Sequence, residues 1–392
     1  MANSNLTSAK NAKNDEFYTQ WADIEKEVNA YLDFNPDVFR DKVVLCPCDD
    51  PEWSNFTKFF ALHFHDFGLK KLISTSFAAD SNKFNTNYQP SLFETESPKY
   101  DVKKTSKYGK IFVLERTTDN KHKPKINIDD LEWDYLPNDG DFRSSEVSKL
   151  REEVDIIITN PPFSLFREFI KWIMDAQKQF LVIGNMNAIT YKEIFPLIKD
   201  NKMWLGNGFN AGNAYFATPF ASDYGDGVYY AETGLVKFRN VCWFTNLDHG
   251  RRHQPLVLRT AADNLRFCKH AELKGKTFYD SYDNYDAIEV PFADAIPSDY
   301  NGAMGVPISF LDKYCPEQFE ILGMCENIDL YNMKTKVYTS DECKKAYLDK
   351  FGKKGTYDLN ASGVIVQNGL LDKVYQRILI KAKQGAVQLT QH

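Results

Sequence analysis

The sequence predicts an α/β fold built on a mostly parallel sheet, and three observations carry that expectation. Short apolar runs of strand length recur at KVVLCPCD (42–49), KKLISTSF (70–77), EEVDIIITN (152–160) and FLVIGNM (180–186). Segments of helical spacing stand between them, the arrangement that brings successive strands back in parallel. After about residue 200 the pattern breaks into short pieces rich in aromatic residues and glycine.

Taken in order, residues 1–14 read as a flexible, mildly basic arm. Ile24, Val28, Tyr31 and Leu32 share one face of a helix over 23–33. The run 42–49 meets polar residues at its end and reads as a buried strand. A helix over 54–64 follows, with Ser54 as its cap. After the strand 70–77, residues 80–110 are polar and read as a loop, with KIFVLER (110–116) as an edge strand. The run 152–160 is the clearest strand and SLFREFIKWIMDA (164–176) the clearest helix. FLVIGNM is another buried strand, and a helix runs through ITYKEIFPLIKD (189–200). No internal repeat is visible.

Composition bounds the class. The chain has 392 residues, 26% charged and 43% hydrophobic, with net charge −6 and mean hydropathy −0.47. These values describe a globular protein rather than a disordered, collagenous or membrane chain. The length suits two domains, expected at 1–248 and 249–392. The polar N-terminus lacks the apolar core of a secretory signal, and no window approaches 18 apolar residues. Seven scattered cysteines, with only Cys46 and Cys48 close together, fit neither a zinc site nor a disulfide framework. Reduced thiols in a cytoplasm are the plain reading.

The sharpest feature is Asn160-Pro161-Pro162-Phe163, directly after VDIIIT. In an open parallel sheet, ligands bind beyond the carboxyl ends of the strands. The proline after Asn160 drives it into an extended conformation, and the two prolines fix their own φ angles. The loop therefore offers two stiff acceptors, the Asn160 side-chain oxygen and the Pro161 carbonyl. Such a pair suits a planar –NH2 group, whose lone pair is freed for attack as both hydrogens are bound. Phe163 adds an aromatic face on which a base can stack, worth roughly 1–3 kcal/mol. The competing reading is a plain Asn-Pro turn at a strand end, but the composition makes this tetrapeptide rare directly after a buried strand.

The Asn-Pro-Pro-aromatic motif resembles the catalytic motif of S-adenosylmethionine-dependent amino-methyltransferases. DEFYTQ (15–20), VVLCPCDDPEWSNF (43–56), DGDFRSSE (139–146), IIITNPPFSLFREFI (156–170) and MGVPISFL (304–311) stand in order around it. Together they resemble the EcoRI-type adenine-specific DNA methyltransferases, from about residue 9 to a final strand VYQRILIK (374–381). Residues 80–135 and 326–372 match least well.

The resemblance implies a class I methyltransferase-like (Rossmann-like) domain followed by a C-terminal target-recognition region. It also implies methyl transfer from S-adenosylmethionine to the exocyclic amine of adenine in duplex DNA, by base flipping. Asn160, Pro161, Pro162 and Phe163 would hold the adenine. Asp49, Asp50 and Pro51 match the family's cofactor loop, Tyr18 and Thr19 its N-terminal motif, and Asp141 and Phe142 the segment near the cofactor's adenine. Taken alone, Asp49 and Asp50 suit either hydroxyl or ammonium ligands or a turn leading into a helix, where the dipole favours acids. The usual glycine-rich loop is absent from CPCDDPEWSN, and Ser74-Thr75-Ser76-Phe77 lacks an acidic residue for the cofactor ribose. The resemblance further implies a monomer, no metal, and a bacterial or phage-encoded cytoplasmic enzyme of a restriction–modification system.

The nucleic-acid side rests on charge segregation. Residues 237–276 hold nine Lys and Arg against Asp248, Asp263 and Glu272, inside a chain that is net acidic. Lys237, Arg239, Arg251, Arg252 and Arg259 are the candidates for phosphate or guanine contacts. A solvated basic surface is the competing reading. The stretch TFYDSYDNYDAIEV (277–290) suits either base contact or a tyrosine-rich core. Two other functions stay open from sequence: methylation of RNA or of a protein glutamine, and a DNA-binding protein without activity.

Overall fold

The computed structural model of the chain describes residues 17–78, 100–117, 132–209, 213–218, 224–383, 385 and 389–390. The expected basic arm and most of the polar stretch 80–110 lie outside the described residues. The chain divides into two compact units, Met1–Gly250 and Arg251–His392.

The first unit runs β1 (Tyr18–Thr19), α1 (Trp21–Phe34), β2 (Val43–Cys46), α2 (Asn55–Leu62), β3 (Lys71–Thr75), α3 (Val102–Thr105), β4 (Lys110–Glu115) and β5 (Trp133–Tyr135). It continues with α4 (Ser145–Glu153), β6 (Ile156–Thr159), α5 (Phe166–Asp175), β7 (Gln179–Asn185), α6 (Phe195–Lys199), β8 (Trp204–Leu205), β9 (Asn213–Ala217), β10 (Tyr229–Tyr230), β11 (Leu235–Arg239) and β12 (Val241–Thr245). Eight strands form the main sheet in the order β5-β4-β3-β2-β6-β7-β12-β8.

The sheet is parallel only at its centre. β3, β2, β6 and β7 pair in parallel, whereas β4 and β5 on one flank and β12 and β8 on the other are antiparallel. The expectation of a mostly parallel sheet is corrected to a mixed one. Nor is β4 an edge strand, since β5 lies outside it. Antiparallel partners need no helical crossover, and nothing in an apolar run announces which direction it will take.

Side chains alternate between two cores along the central strands. Val44, Cys46, Ile156, Ile158, Leu181 and Ile183 join one core with Val28 and Tyr31 of α1 and Phe56, Phe59 and Phe60 of α2. The alternate residues Leu45, Ile157 and Val182 are equally buried, so the sheet is covered on both faces. On that second face Phe166 of α5 lies over Gly184, where an added Cβ would come within 2.5 Å of the ring. Each fully buried phenylalanine contributes about 1.5–3 kcal/mol.

Local chemistry explains the boundaries. Ser54 caps α2 by accepting from the Phe56 amide at 3.1 Å, as the sequence predicts. Ser144 caps a helix that sequence reading missed, and that helix takes Glu152 and Glu153 from the expected strand. The expected helix over 189–200 is a 3-10 turn (Met186–Thr190) and the short α6, with Pro196 near its start. A second sheet in the order β1-β9-β11-β10 stands apart from the main one. Asn240, at φ 59°, kinks the chain between β11 and β12, passing it from the small sheet to the large.

The second unit holds β13 (Val257–Leu258), α7 (Ala261–Phe267), β14 (Ala287–Glu289), β15 (Ala303–Pro307), β16 (Phe319–Met324), α8 (Ser340–Phe351), β17 (Val364–Gln367), β18 (Leu370–Lys373), β19 (Arg377–Ala382) and β20 (Leu389–Thr390). Its four-stranded sheet has the order β14-β15-β19-β16. Tyr282 and Tyr285 are buried there, and an ion pair between Arg377 and Glu289 (2.6 Å) is buried with them. Tyr282 packs against Gly305 so closely that a Cβ would meet its hydroxyl at 2.1 Å. Among the described residues no helix is long and apolar enough to cross a membrane.

Candidate active site

The site grows from the carboxyl ends of β2 and β6, neighbouring parallel strands. The loop after β2 turns inward at Asp49, whose amide donates to Thr75 O at the end of β3 (3.0 Å). The Asp49 carboxylate accepts from Ser54 Oγ at 2.7 Å and from the Thr159 hydroxyl. Asp49 therefore ties together the ends of all three strands. Burial pushes its pKa up to about 7, against the pull of those two hydroxyls.

Asp50 has another task. Its Oδ1 accepts from the Glu52 and Trp53 amides at 2.9 and 3.3 Å, and Oδ2 takes Lys110 Nζ at 2.9 Å. Pro51 is buried in the same turn. Lys110 also approaches Glu52 (3.4 Å) and lies 4.9 Å from the Trp133 ring centre. The Ser74 and Thr75 hydroxyls are occupied too, donating to Asp49 O and Pro47 O at 2.7 and 3.1 Å.

At the end of β6, Asn160 donates from Nδ2 to Phe17 O at 2.7 Å. A carbonyl cannot donate, so this contact fixes which end of the amide is oxygen. Asn160 Oδ1 is buried and has no hydrogen-bond partner among the described residues. Such an atom is costly to leave unpaired unless something arrives to bind it. Phe163 is half-buried, with its ring stacked 6.0 Å from that of Phe17 and edge-on to Phe216 at 6.4 Å.

The strand Tyr18–Thr19 is held from both sides. Asn55 Nδ2 donates to Thr19 O at 2.7 Å, while Asn160 holds the preceding carbonyl of Phe17. Thr19 is 2% exposed, and its hydroxyl likewise lacks a partner among the described residues. Asn55, Thr159 and the Phe17 carbonyl escaped sequence reading. Only their adjacency to Ser54, Asn160 and Tyr18 could have signalled them.

Asp141 is clasped by Arg143, whose amide and Nε reach Oδ1 at 2.8 and 2.9 Å and whose Nη2 reaches Oδ2 at 2.6 Å. Burial raises the Asp141 pKa, but the Arg143 bonds outweigh it and hold the carboxyl below its ordinary range. Phe142 turns into the core, 4% exposed and edge-on to Phe169 and Trp172.

The candidate DNA-binding residues scatter. Lys237 and Arg239 lie on β11, with Lys237 Nζ 5.6 Å from the Tyr215 ring and Arg239 exposed. In the second unit, Arg251 pairs with Asp312 at 2.6 Å and Arg259 is exposed. Arg252 is only 7% exposed, so it is corrected from a phosphate contact to a buried, structural arginine.

An Asn-Pro-Pro-Phe loop beyond the parallel strands of the sheet, beside a buried acidic loop, resembles the site of a methyltransferase that acts on an amino group. The chain matches the family described as adenine-specific methyltransferase EcoRI over residues 5–383. It is 41% identical to the type II methyltransferase M.EcoRI of Escherichia coli, over 83% of this chain and 90% of that protein. The type II methyltransferase M.MpnI of Mycoplasma pneumoniae is 34% identical over 84% of this chain and 89% of its own length. M.MgeORF184P of Mycoplasma genitalium, also a type II methyltransferase, is 32% identical over 96% and 98%. No solved structure matches. The chain belongs to the EcoRI family of adenine-specific methyltransferases, and membership makes it a site-specific DNA methyltransferase.

Proposed function

We propose that the first unit transfers a methyl group from S-adenosylmethionine to the exocyclic amine of an adenine swung out of duplex DNA, and that the second unit reads the target sequence. The observation that carries the reading is the Asn160 amide, oriented by Phe17 O with its own oxygen buried and unpartnered. A stacked and paired adenine cannot bring its amine to a buried acceptor, so the base must leave the helix at a cost of a few kcal/mol.

Asn160 Oδ1 and the Pro161 carbonyl accept the two amine hydrogens, and Phe163 offers its ring to the base. As the amine attacks, positive charge develops on its nitrogen, and those two oxygens stabilise it without reorganising. Pro161 and Pro162 keep the pair stiff, so alignment is prepaid. No protein base is needed before attack, because the proton leaves only after the nitrogen becomes cationic.

The residues present fit the cofactor. The unpartnered Thr19 hydroxyl and the buried Asp49 carboxyl suit a ligand that carries an ammonium, a sulfonium and a carboxylate. Bound there, the cofactor supplies an electrophilic methyl group on sulfur. Tyr18 and Thr19 would face its methionine end, and Asp49 with the Asp50–Pro51 turn would wall its pocket. Asp141 would lie near its adenine, while Phe142 braces that segment from the core. Lys237, Arg239, Arg251 and Arg259 remain the proposed phosphate contacts.

The test is a methylation map of DNA from a methylation-deficient host expressing the chain, beside its Asn160→Ala variant. One modified adenine motif, lost in the variant, supports the reading. An unmodified genome in the presence of soluble, cofactor-binding protein would overturn it.

A further inference from the structure

The basic window and the aromatic stretch meet in one loop of the second unit. Thr260 caps α7, accepting from the Asp263 amide at 3.1 Å. Asn264, buried in that helix, donates from Nδ2 to Ala295 O at 3.1 Å. Tyr279 donates its hydroxyl to the same carbonyl at 2.6 Å. One acceptor thus closes both ends of the segment 264–279. In between, His270 stacks on Phe292 with ring centres 3.6 Å apart and places Nε2 3.0 Å from Asp294, and Leu273 is buried.

This anchored loop holds out side chains that serve no packing purpose. Phe267 is 60% exposed and Phe278 80%. Arg266, Lys269 and Lys274 are exposed and make no ion pair among the described residues. Arg266 lies 5.0 Å from the Phe267 ring centre. Lys276 is neutralised by Asp280, and Glu272 is the one exposed acid of the segment. Tyr282 and Tyr285 are core residues, which leaves Phe278 as the free aromatic at the head of that stretch.

Exposed apolar rings rimmed by cations mark a binding surface. Unpaired cations match a phosphate backbone, and apolar rings match base edges or the steps between bases. We propose that the loop 264–279 is a duplex-DNA contact, with Arg266, Lys269 and Lys274 on phosphates and Phe278 against the bases. The proposal rests on the DNA reading above.

The test uses the full chain and a duplex carrying the mapped site, titrated between about 50 and 200 mM salt. The variant Arg266→Ala/Lys269→Ala/Lys274→Ala is expected to lower the salt slope by about 2–3, near 0.9 per lost phosphate contact. Its Kd for DNA weakens at least tenfold, while kcat at saturating DNA and the thermal midpoint stay at wild type. Phe278→Ala is expected to keep the salt slope but lose about tenfold in preference for the cognate duplex. An unchanged slope in the triple variant, with unchanged preference in Phe278→Ala, overturns the assignment while wild type still methylates. A wild-type protein that neither binds nor methylates duplex DNA overturns the functional reading, and this one with it.

Discussion

The Asn160 side chain donates to the main-chain carbonyl of Phe17 at 2.7 Å, across 143 positions of sequence. The contact commits the amide nitrogen and turns the oxygen into a buried site with no partner among the described residues. The Asn160 loop is thereby oriented from outside itself, by a residue just before β1, a strand that Asn55 holds in turn at the Thr19 carbonyl.

Replacing Asn160 tests that relationship directly. Asn160→Ala is expected to lose at least 10²-fold in single-turnover methylation, the usual scale for removing an oriented polar group at a reacting centre. Cofactor affinity stays within a few fold. Asn160→Asp keeps an acceptor but sets a carboxylate oxygen against Phe17 O, so it too is expected to be severely slowed. Turnover near wild type in either variant would remove Asn160 from the chemistry.

Asp49 gives a pH signature. Its pKa stands at about 7 through burial, and a cationic ligand favours the ionised carboxylate. Cofactor affinity should therefore rise with pH through neutrality, by about tenfold between pH 6 and 8. Asp49→Asn should bind with little dependence over that range. Calorimetric titration at the two pH values reads the difference, and parallel pH profiles would place Asp49 away from the bound charge.

Glu27 gives a stability signature of its own. Fully buried on α1, it accepts from the Tyr31 hydroxyl and the Asn207 and Gly208 amides at 2.9, 2.7 and 2.8 Å. Burial raises its pKa from 4.5 to about 7. A raised carboxyl pKa gives stability that is complete below the unfolded value and lost as pH rises through the folded one. The loss is on the order of 3 kcal/mol across that window. Thermal melts from pH 4.5 to 8 should fall less steeply for Glu27→Gln than for wild type, with Asp49 supplying a residual slope of the same sign. A variant as steep as wild type would count against the assignment.

The buried pair in the second unit should behave non-additively. Arg377→Met strands the Glu289 carboxylate in the core and is expected to cost about 3–5 kcal/mol. The double variant Glu289→Gln/Arg377→Met removes both charges and should recover much of that loss. Denaturant titration of the two proteins decides it, and equal destabilisation would mean that charge is not the cause.

Much of the first unit was legible in sequence, because buried strands and helices differ in period. Asn160 was readable for a similar reason: two consecutive prolines after a buried strand leave the backbone few alternatives. Of the flanking strands only β4 was read, and not its direction, since an apolar run looks alike in either direction. Ser144 and α4 were missed because five of the nine residues from Ser145 to Glu153 are charged, which hid the single buried face at Val147. Arg252 looked like surface charge, as a buried arginine carries no mark in sequence. The Phe17 contact was beyond reach, since nothing local pairs residue 17 with residue 160.

The two-residue strand β1 also sets a timetable for the enzyme's own birth. Tyr18 lies opposite Ala217 and Thr19 opposite Phe216, so β1 has no strand to join until the chain is made that far. A nascent chain that has just released the Asn160 loop holds the whole motif but has no fixed carbonyl to aim the amide. At ordinary translation rates the interval to residue 217 is roughly 3–10 s. A ribosome halted inside that interval carries a chain with an intact motif and an Asn160 amide still waiting for the strand pairing that steadies its partner.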